Sequence, residues 1–131
     1  MAQATILVVD DEQEICELTR SFLTKHNYRV FTANSQDEAL NIVNKERPQI
    51  ILLDMRLGPD SGIDVLRKIR QIDMAIKVIM VTGMDDEKSI IEAKAEGADD
   101  YIIKPFTAGF LRDIIAEKAA KLANNGGNKH G

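Results

Sequence analysis

A chain of 131 residues, 44% hydrophobic and 29% charged, has the size of one domain and buries enough surface to need neither disulfides nor zinc. One cysteine, Cys16, and two distant histidines, His26 and His130, exclude a disulfide framework and a multi-cysteine metal site. With 17 basic against 21 acidic residues (formal charge −4), no apolar run near the ~20 residues of a membrane span and no secretory pattern at the start, direct nucleic-acid binding and membrane insertion are not expected, and a cytoplasmic location is.

Along the chain, Ile6-Leu7-Val8-Val9 predicts a first strand. Ile15, Leu18, Phe22 and Leu23 predict a helix from Glu12 to about Lys25. Residues 28–33 form a weaker strand signal with period-two character. Ser35 and Glu38 have capping-box spacing ahead of a second helix carrying Ala39, Leu40 and Val43. Ile50-Ile51-Leu52-Leu53 predicts the third strand, and Ile63, Leu66 and Ile69 the third helix, with Arg67, Lys68 and Arg70 on its solvated face. Val78-Ile79-Met80-Val81 predicts the fourth strand; Ile90, Ile91 and Ala95 mark a helix that Gly97 is placed to end. Tyr101-Ile102-Ile103 is the fifth strand, and Thr107 caps a last helix marked by Phe110, Leu111, Ile114, Ile115 and Leu122. One domain over residues 1–122 with a flexible Asn/Gly-rich tail over 123–131 is expected.

Four of the strand signals are continuous rather than alternating, as in strands covered by helices on both faces. Strand followed by helix, five times, calls for an α/β doubly wound parallel sheet, whose sites lie at the carboxyl ends of the strands. The residues that fall there are Asp10 and Asp11, Asp54, Thr82, and Lys104-Pro105. Three carboxylates brought together repel one another unless a hard cation lies among them, and Mg²⁺ suits oxygen ligands. Asp11, just before a helix, is equally suited to capping it. A carboxylate such as Asp54 can attack phosphorus and form an acyl phosphate. Mg²⁺ and the Lys104 ammonium would then share the charge, and the Thr82 hydroxyl would donate to a phosphoryl oxygen.

The segments ILVVDDE (6–12), IILLDMR (50–56), VIMVT (78–82) and GADDYIIKPF (97–106) resemble the response-regulator receiver domain of bacterial two-component signalling, of the chemotaxis-regulator-like kind, across residues 4–122. The resemblance implies a flavodoxin-like (βα)5 three-layer sandwich with strand order 2-1-3-4-5. It implies that Asp54 is the phosphoacceptor and that Asp11, Asp54 and the backbone carbonyl of Arg56 ligate Mg²⁺ (or Mn²⁺), with Asp10 acting through water. It assigns Thr82 and Lys104 to the phosphoryl oxygens and Tyr101 to an aromatic that changes rotamer, and it implies a cis peptide at Lys104-Pro105. Two positions depart from the family pattern. Its usual proline after the phosphoacceptor is Gly58 here, with Pro59 one residue later, and Gly83 stands where alanine is common. Arg56 and Met84 occupy positions that tune loss of the phosphoryl group in the family.

The implied role is signalling rather than metabolism: the domain catalyses only its own phosphorylation and autodephosphorylation. A sensor histidine kinase or phosphotransfer protein is the expected donor. The expected state is a monomer or a phosphorylation-induced homodimer, to which Lys88, Asp99, Asp100 and Arg112 could contribute charge. The competing readings are a Mg²⁺-dependent phosphatase of the haloacid-dehalogenase kind and a degenerate receiver used only for docking. The order Asp10-Asp11-Glu12 does not match the former's Asp-x-Asp, and intact Asp54, Thr82 and Lys104 speak against the latter.

Overall fold

The apolar runs become strands, and the amphipathic stretches become the helices between them. In a computed structural model, which describes residues 4–83 and 87–128 and the side chains of 4–83 and 87–122, the elements follow in order. They are β1 (Thr5–Val9), α1 (Gln13–Lys25), β2 (Arg29–Ala33), α2 (Gln36–Glu46), β3 (Ile50–Asp54), β4 (Arg56–Leu57) and β5 (Asp60–Ser61). There follow α3 (Gly62–Ile72), β6 (Lys77–Thr82), α4 (Glu87–Ala95), β7 (Asp100–Ile103) and α5 (Ala108–Asn128). Met84 and His130 lie outside the described residues. The helix α5 runs past residue 122, where the tail was expected to begin. No helix among the described residues is long and apolar enough to cross a membrane.

Five parallel strands form one sheet in the order β2-β1-β3-β6-β7, which is 2-1-3-4-5 when the sheet strands alone are counted, as expected. The inner strands are buried almost throughout, which is why their sequences are continuously apolar. The edge strands β2 and β7 are only partly covered, which explains the weaker signal at 28–33. Alternate residues feed two cores. Leu7, Val9, Ile51, Leu53, Val78 and Met80 face α2, α3 and α4. Ile6, Val8, Ile50, Leu52, Ile79 and Val81 face α1 and α5.

Most helix ends follow local rules. Ser35 Oγ accepts from Glu38 N–H at 3.2 Å and Thr107 Oγ1 from Phe110 N–H at 3.0 Å. Gly97 closes α4 with φ +105°, a conformation that favours glycine. Asp11, however, does not cap α1; Glu12 is the N-cap residue, without a side-chain bond. The buried faces also differ from the apolar markers. In α1 it is Cys16 and Leu23 that are buried, while Leu18 is 63% exposed. In α4, Ile90 and Ala93 are buried and Ile91 is 67% exposed. Arg70 is not on the solvated face of α3. Its side chain is 11% exposed and reaches Gly97 O (2.7 Å), Ile76 O (2.6 Å) and Asp99 Oδ2 (3.0 Å). The guanidinium has five donors in a fixed fork, enough to collect loop carbonyls from two connections at once.

Candidate functional site

All sheet strands point the same way, so their last residues share one edge. Asp54 is the last residue of β3 and Thr82 the last of β6; Asp10 follows β1 and Lys104 follows β7. Asp10, Asp54 and Thr82 are buried, unusual for such groups. Lys104 Nζ bridges the two carboxylates, 2.9 Å from Asp54 Oδ2 and 3.1 Å from Asp10 Oδ2. The remaining oxygens accept backbone N–H groups: Asp54 Oδ1 from Arg56 at 3.0 Å, and Asp10 Oδ1 from Glu12 at 2.9 Å. Burial alone pulls the Lys104 pKa down. The hydrogen bonds and charges of Asp54 and Asp10 outweigh it and leave the ammonium above its ordinary value. The site therefore keeps a fixed positive charge against two carboxylates. Lys104 N–H continues the ladder to Thr82 O at 2.7 Å, and the Lys104–Pro105 peptide is cis.

The exposed carboxylate of Asp11 reaches out of the β1–α1 connection and accepts from Gly58 N–H at 3.0 Å. This bond joins the acidic pair to the loop after β3, where the Asp11 of a capping reading would have turned back onto α1. Asp10, Asp11 and Glu12 offer oxygens within 4.8 Å of one another. Glu12 was not among the expected ligands. Its only signal is its place beside the two aspartates. The donor set is hard oxygen and mixed in exposure, which fits a divalent cation that keeps part of its water.

The loop after Asp54 forms a two-residue ladder, β4 against β5, with Gly58 and Pro59 at its turn. Gly58 has φ +59°, which proline, fixed near −65°, cannot adopt. The one-residue displacement of the proline thus has a backbone reason: a positive φ comes first and the fixed negative φ second, as in a type II′ turn. Beyond it, Gly62 begins α3 so close to β3 that a Cβ would lie 2.1 Å from Asp54 O. Its N–H donates to Met55 O at 2.7 Å. An open cleft of about 820 Å³ stands over Asp54, walled by Arg56, Pro59, Thr82, Gly83 and Lys104, with Ser89 of α4 on its far side.

Tyr101 lies opposite Met80 in the register of β6 and β7, as Ile103 does opposite Thr82. By the two-residue period, Tyr101 and Thr82 share the face under α4. The half-buried Tyr101 ring packs against that core, with Lys94 Nζ 5.3 Å from its centroid. The charges expected to serve a dimer face are partly engaged within the chain. Asp99 pairs with Arg70, and Asp100 with Lys118 at 2.9 Å. Lys118 is 3% exposed on the inner face of α5, a position that periodicity alone would fill with an apolar residue.

A partly buried lysine thus bridges two buried aspartates at the carboxyl edge of a (βα)5 sheet, and three comparisons with known proteins agree on the family of this fold. The family model of the response regulator receiver domain matches residues 6–116. Sporulation initiation phosphotransferase F of Bacillus subtilis is 37% identical over 115 residues, covering 88% of this chain and 93% of that protein. Regulatory protein VanR of Enterococcus faecium is 42% identical over 117 residues, 89% of this chain but 49% of VanR, so the chain spans about half of such a relative. Among solved structures, a CheY-like receiver domain protein from Methanospirillum hungatei JF-1 superposes with a TM-score of 0.89 at 30% identity, over 93% of this chain and 98% of that one. With sequence, family model and fold in agreement over nearly its whole length, the chain belongs to the response regulator receiver domain family of two-component signalling.

Proposed function

We propose that Asp54 accepts a phosphoryl group from a sensor histidine kinase or phosphotransfer protein and that the modified domain changes its binding of a downstream partner. The observation that carries this reading is the buried Asp54 carboxylate at the floor of an open cleft, 2.9 Å from the Lys104 ammonium. An Asp54 oxygen attacks phosphorus; the phosphorus–nitrogen bond to the donor imidazole breaks and its electron pair leaves with the imidazole. Little covalent help is needed beyond placement and charge neutralisation. Lys104 exchanges a carboxylate partner for a phosphoryl oxygen, and the Thr82 hydroxyl supplies a second donor. Mg²⁺, or Mn²⁺, held by Asp11, Asp54 and the backbone carbonyl of Arg56, with Asp10 acting through water, would neutralise charge on the transferred group. Attack of water on the acyl phosphate returns free Asp54, so the domain catalyses its own phosphorylation and autodephosphorylation.

Drawing the Thr82 hydroxyl toward the phosphoryl group vacates space on the face it shares with Tyr101, and the ring moves inward to fill it. The Lys94–Tyr101 contact then links that motion to α4. The family match over residues 6–116 supports a receiver unit. In this reading the unit spans residues 1–122 with 123–131 as an appended tail, and it works in the cytoplasm as a monomer or a phosphorylation-induced homodimer.

Acetyl phosphate with Mg²⁺ tests this. Intact-mass spectrometry is expected to show one added phosphoryl group, lost in Asp54→Asn and with excess chelator. Stoichiometric labelling of Asp54→Asn would overturn the assignment.

A further inference from the structure

At Asp10 the first strand leaves the sheet. Its N–H still belongs to the ladder, donating to Ala33 O at 3.1 Å, but among the described residues its carbonyl accepts no strand N–H. Two side chains serve that carbonyl instead. Asn34 Nδ2 donates to it at 3.0 Å and the Cys16 thiol at 3.4 Å, and the amide and thiol lie 3.4 Å apart. Asn34 is itself fixed, its N–H donating to Glu38 Oε1 at 2.8 Å at the start of α2. The peptide that follows Asp10 decides where Asp11 points, and the Asp11 carboxylate must reach across to Gly58 N–H at 3.0 Å.

We propose that Asn34 is a positioning residue for the Asp10–Asp11 pair. Its amide, from the neighbouring strand, fixes the peptide between the two aspartates, so that their carboxylates are preset for a divalent cation. The inference rests on the phosphoacceptor reading above. A buried carbonyl keeps a hydrogen-bond partner, and a thiol is a weak donor, so Asn34 supplies the directional bond. Without it the peptide turns to find another donor, and Asp11 turns with it. Asn34 touches neither the cation nor the phosphoryl group; it acts through the orientation of ligands that do.

The test is a Mg²⁺ titration of the full chain, followed by amide NMR shifts of Asp11 and Gly58, in wild type, Asn34→Leu and Asn34→Ala. Leucine keeps the volume and removes the donors; alanine removes both. Loss of an outer-shell partner is expected to weaken Mg²⁺ about 10-fold, equally in both variants. An Asn34→Leu variant with wild-type Mg²⁺ affinity overturns the inference, as does a defect in alanine that leucine repairs, which marks a packing role. A wild-type chain that binds no Mg²⁺ removes the metal reading as well; one that binds it while Asn34→Leu is unaffected removes this inference alone. If Asn34→Leu fails to fold, Asn34→Ser, too short to reach the carbonyl, is read the same way.

Discussion

The approach of α3 to the end of β3 makes Gly62 the residue most sensitive to a single added methyl group. In Gly62→Ala the Cβ would lie 2.1 Å from Asp54 O and 2.9 Å from Met55 Cα, where ordinary contact begins near 3.4 Å. Both neighbours are backbone, so no rotamer change relieves the clash; α3 and the end of β3 must separate by about 1.3 Å. That stretches the 2.7 Å Gly62–Met55 hydrogen bond. Overpacking costs about 1–3 kcal/mol and a weakened hydrogen bond about 1, so the variant is expected to lose about 2–4 kcal/mol. For a chain of this size, that lowers Tm by roughly 10 °C. The carbonyl that must move belongs to Asp54, the proposed phosphoacceptor, and misplacement near 1 Å can slow a positioned reaction by up to about 100-fold. Acetyl-phosphate labelling should therefore slow as well. Gly109→Ala in the first turn of α5 is the control: its Cβ would meet nothing closer than Arg112 Nη2 at 3.9 Å, and it should stabilise by about 0.5 kcal/mol. Urea denaturation and a labelling time course read both effects. A Gly62→Ala protein with wild-type stability and rate would refute the steric reasoning.

Three further outcomes are expected. Arg70→Lys should cost about 2 kcal/mol in urea denaturation, because one ammonium cannot replace a fork that reaches Gly97 O, Ile76 O and Asp99 together; unchanged stability would make these contacts incidental. Burial pulls the Lys118 pKa down, but Asp100 and Glu117 more than restore it, so it stands raised in the folded state. Its contribution to stability is complete below the unfolded value of about 10.4 and is lost as pH rises through the folded one. Lys118→Met leaves the partly exposed Asp100 without its cation, so it should cost about 1–3 kcal/mol at pH 7, below the cost for a fully buried pair, and lose less stability than wild type toward pH 11; parallel curves would refute the linkage. Burial first, then the Asp10 charge, raises the Cys16 thiol. A thiol reagent should label it only as fast as the fold opens, and labelling at the rate of a free thiol would show that α1 is not packed as described.

The fold was legible because inner parallel strands have two covered faces and so must be apolar at every position. Ile6 to Val9, Ile50 to Leu53 and Val78 to Val81 declare themselves without any partner being known. The strand-end residues Asp10, Asp54 and Thr82 were legible for the same reason, since each is the first polar residue after such a run, and Lys104 stands in the same place after the shorter apolar run of the edge strand β7. The ladder of β4 and β5 was not, because two residues per strand are too few to show a period. Helix periodicity marked a face but not its rotation against the sheet. That depends on which neighbour covers it, and so Cys16 is buried while Leu18 is exposed. The side chains that only the tertiary structure explains are polar and reach across elements. Asn34 serves the carbonyl of Asp10, Arg70 collects the connections beside α4, Lys118 pairs with Asp100, and Asp11 leaves its own helix for Gly58. Burial acts on each residue through its own apolar surface and leaves a trace in the local sequence. A directional bond between residues 18 to 47 apart depends on where two segments meet, and only the packed sheet and its connections decide that.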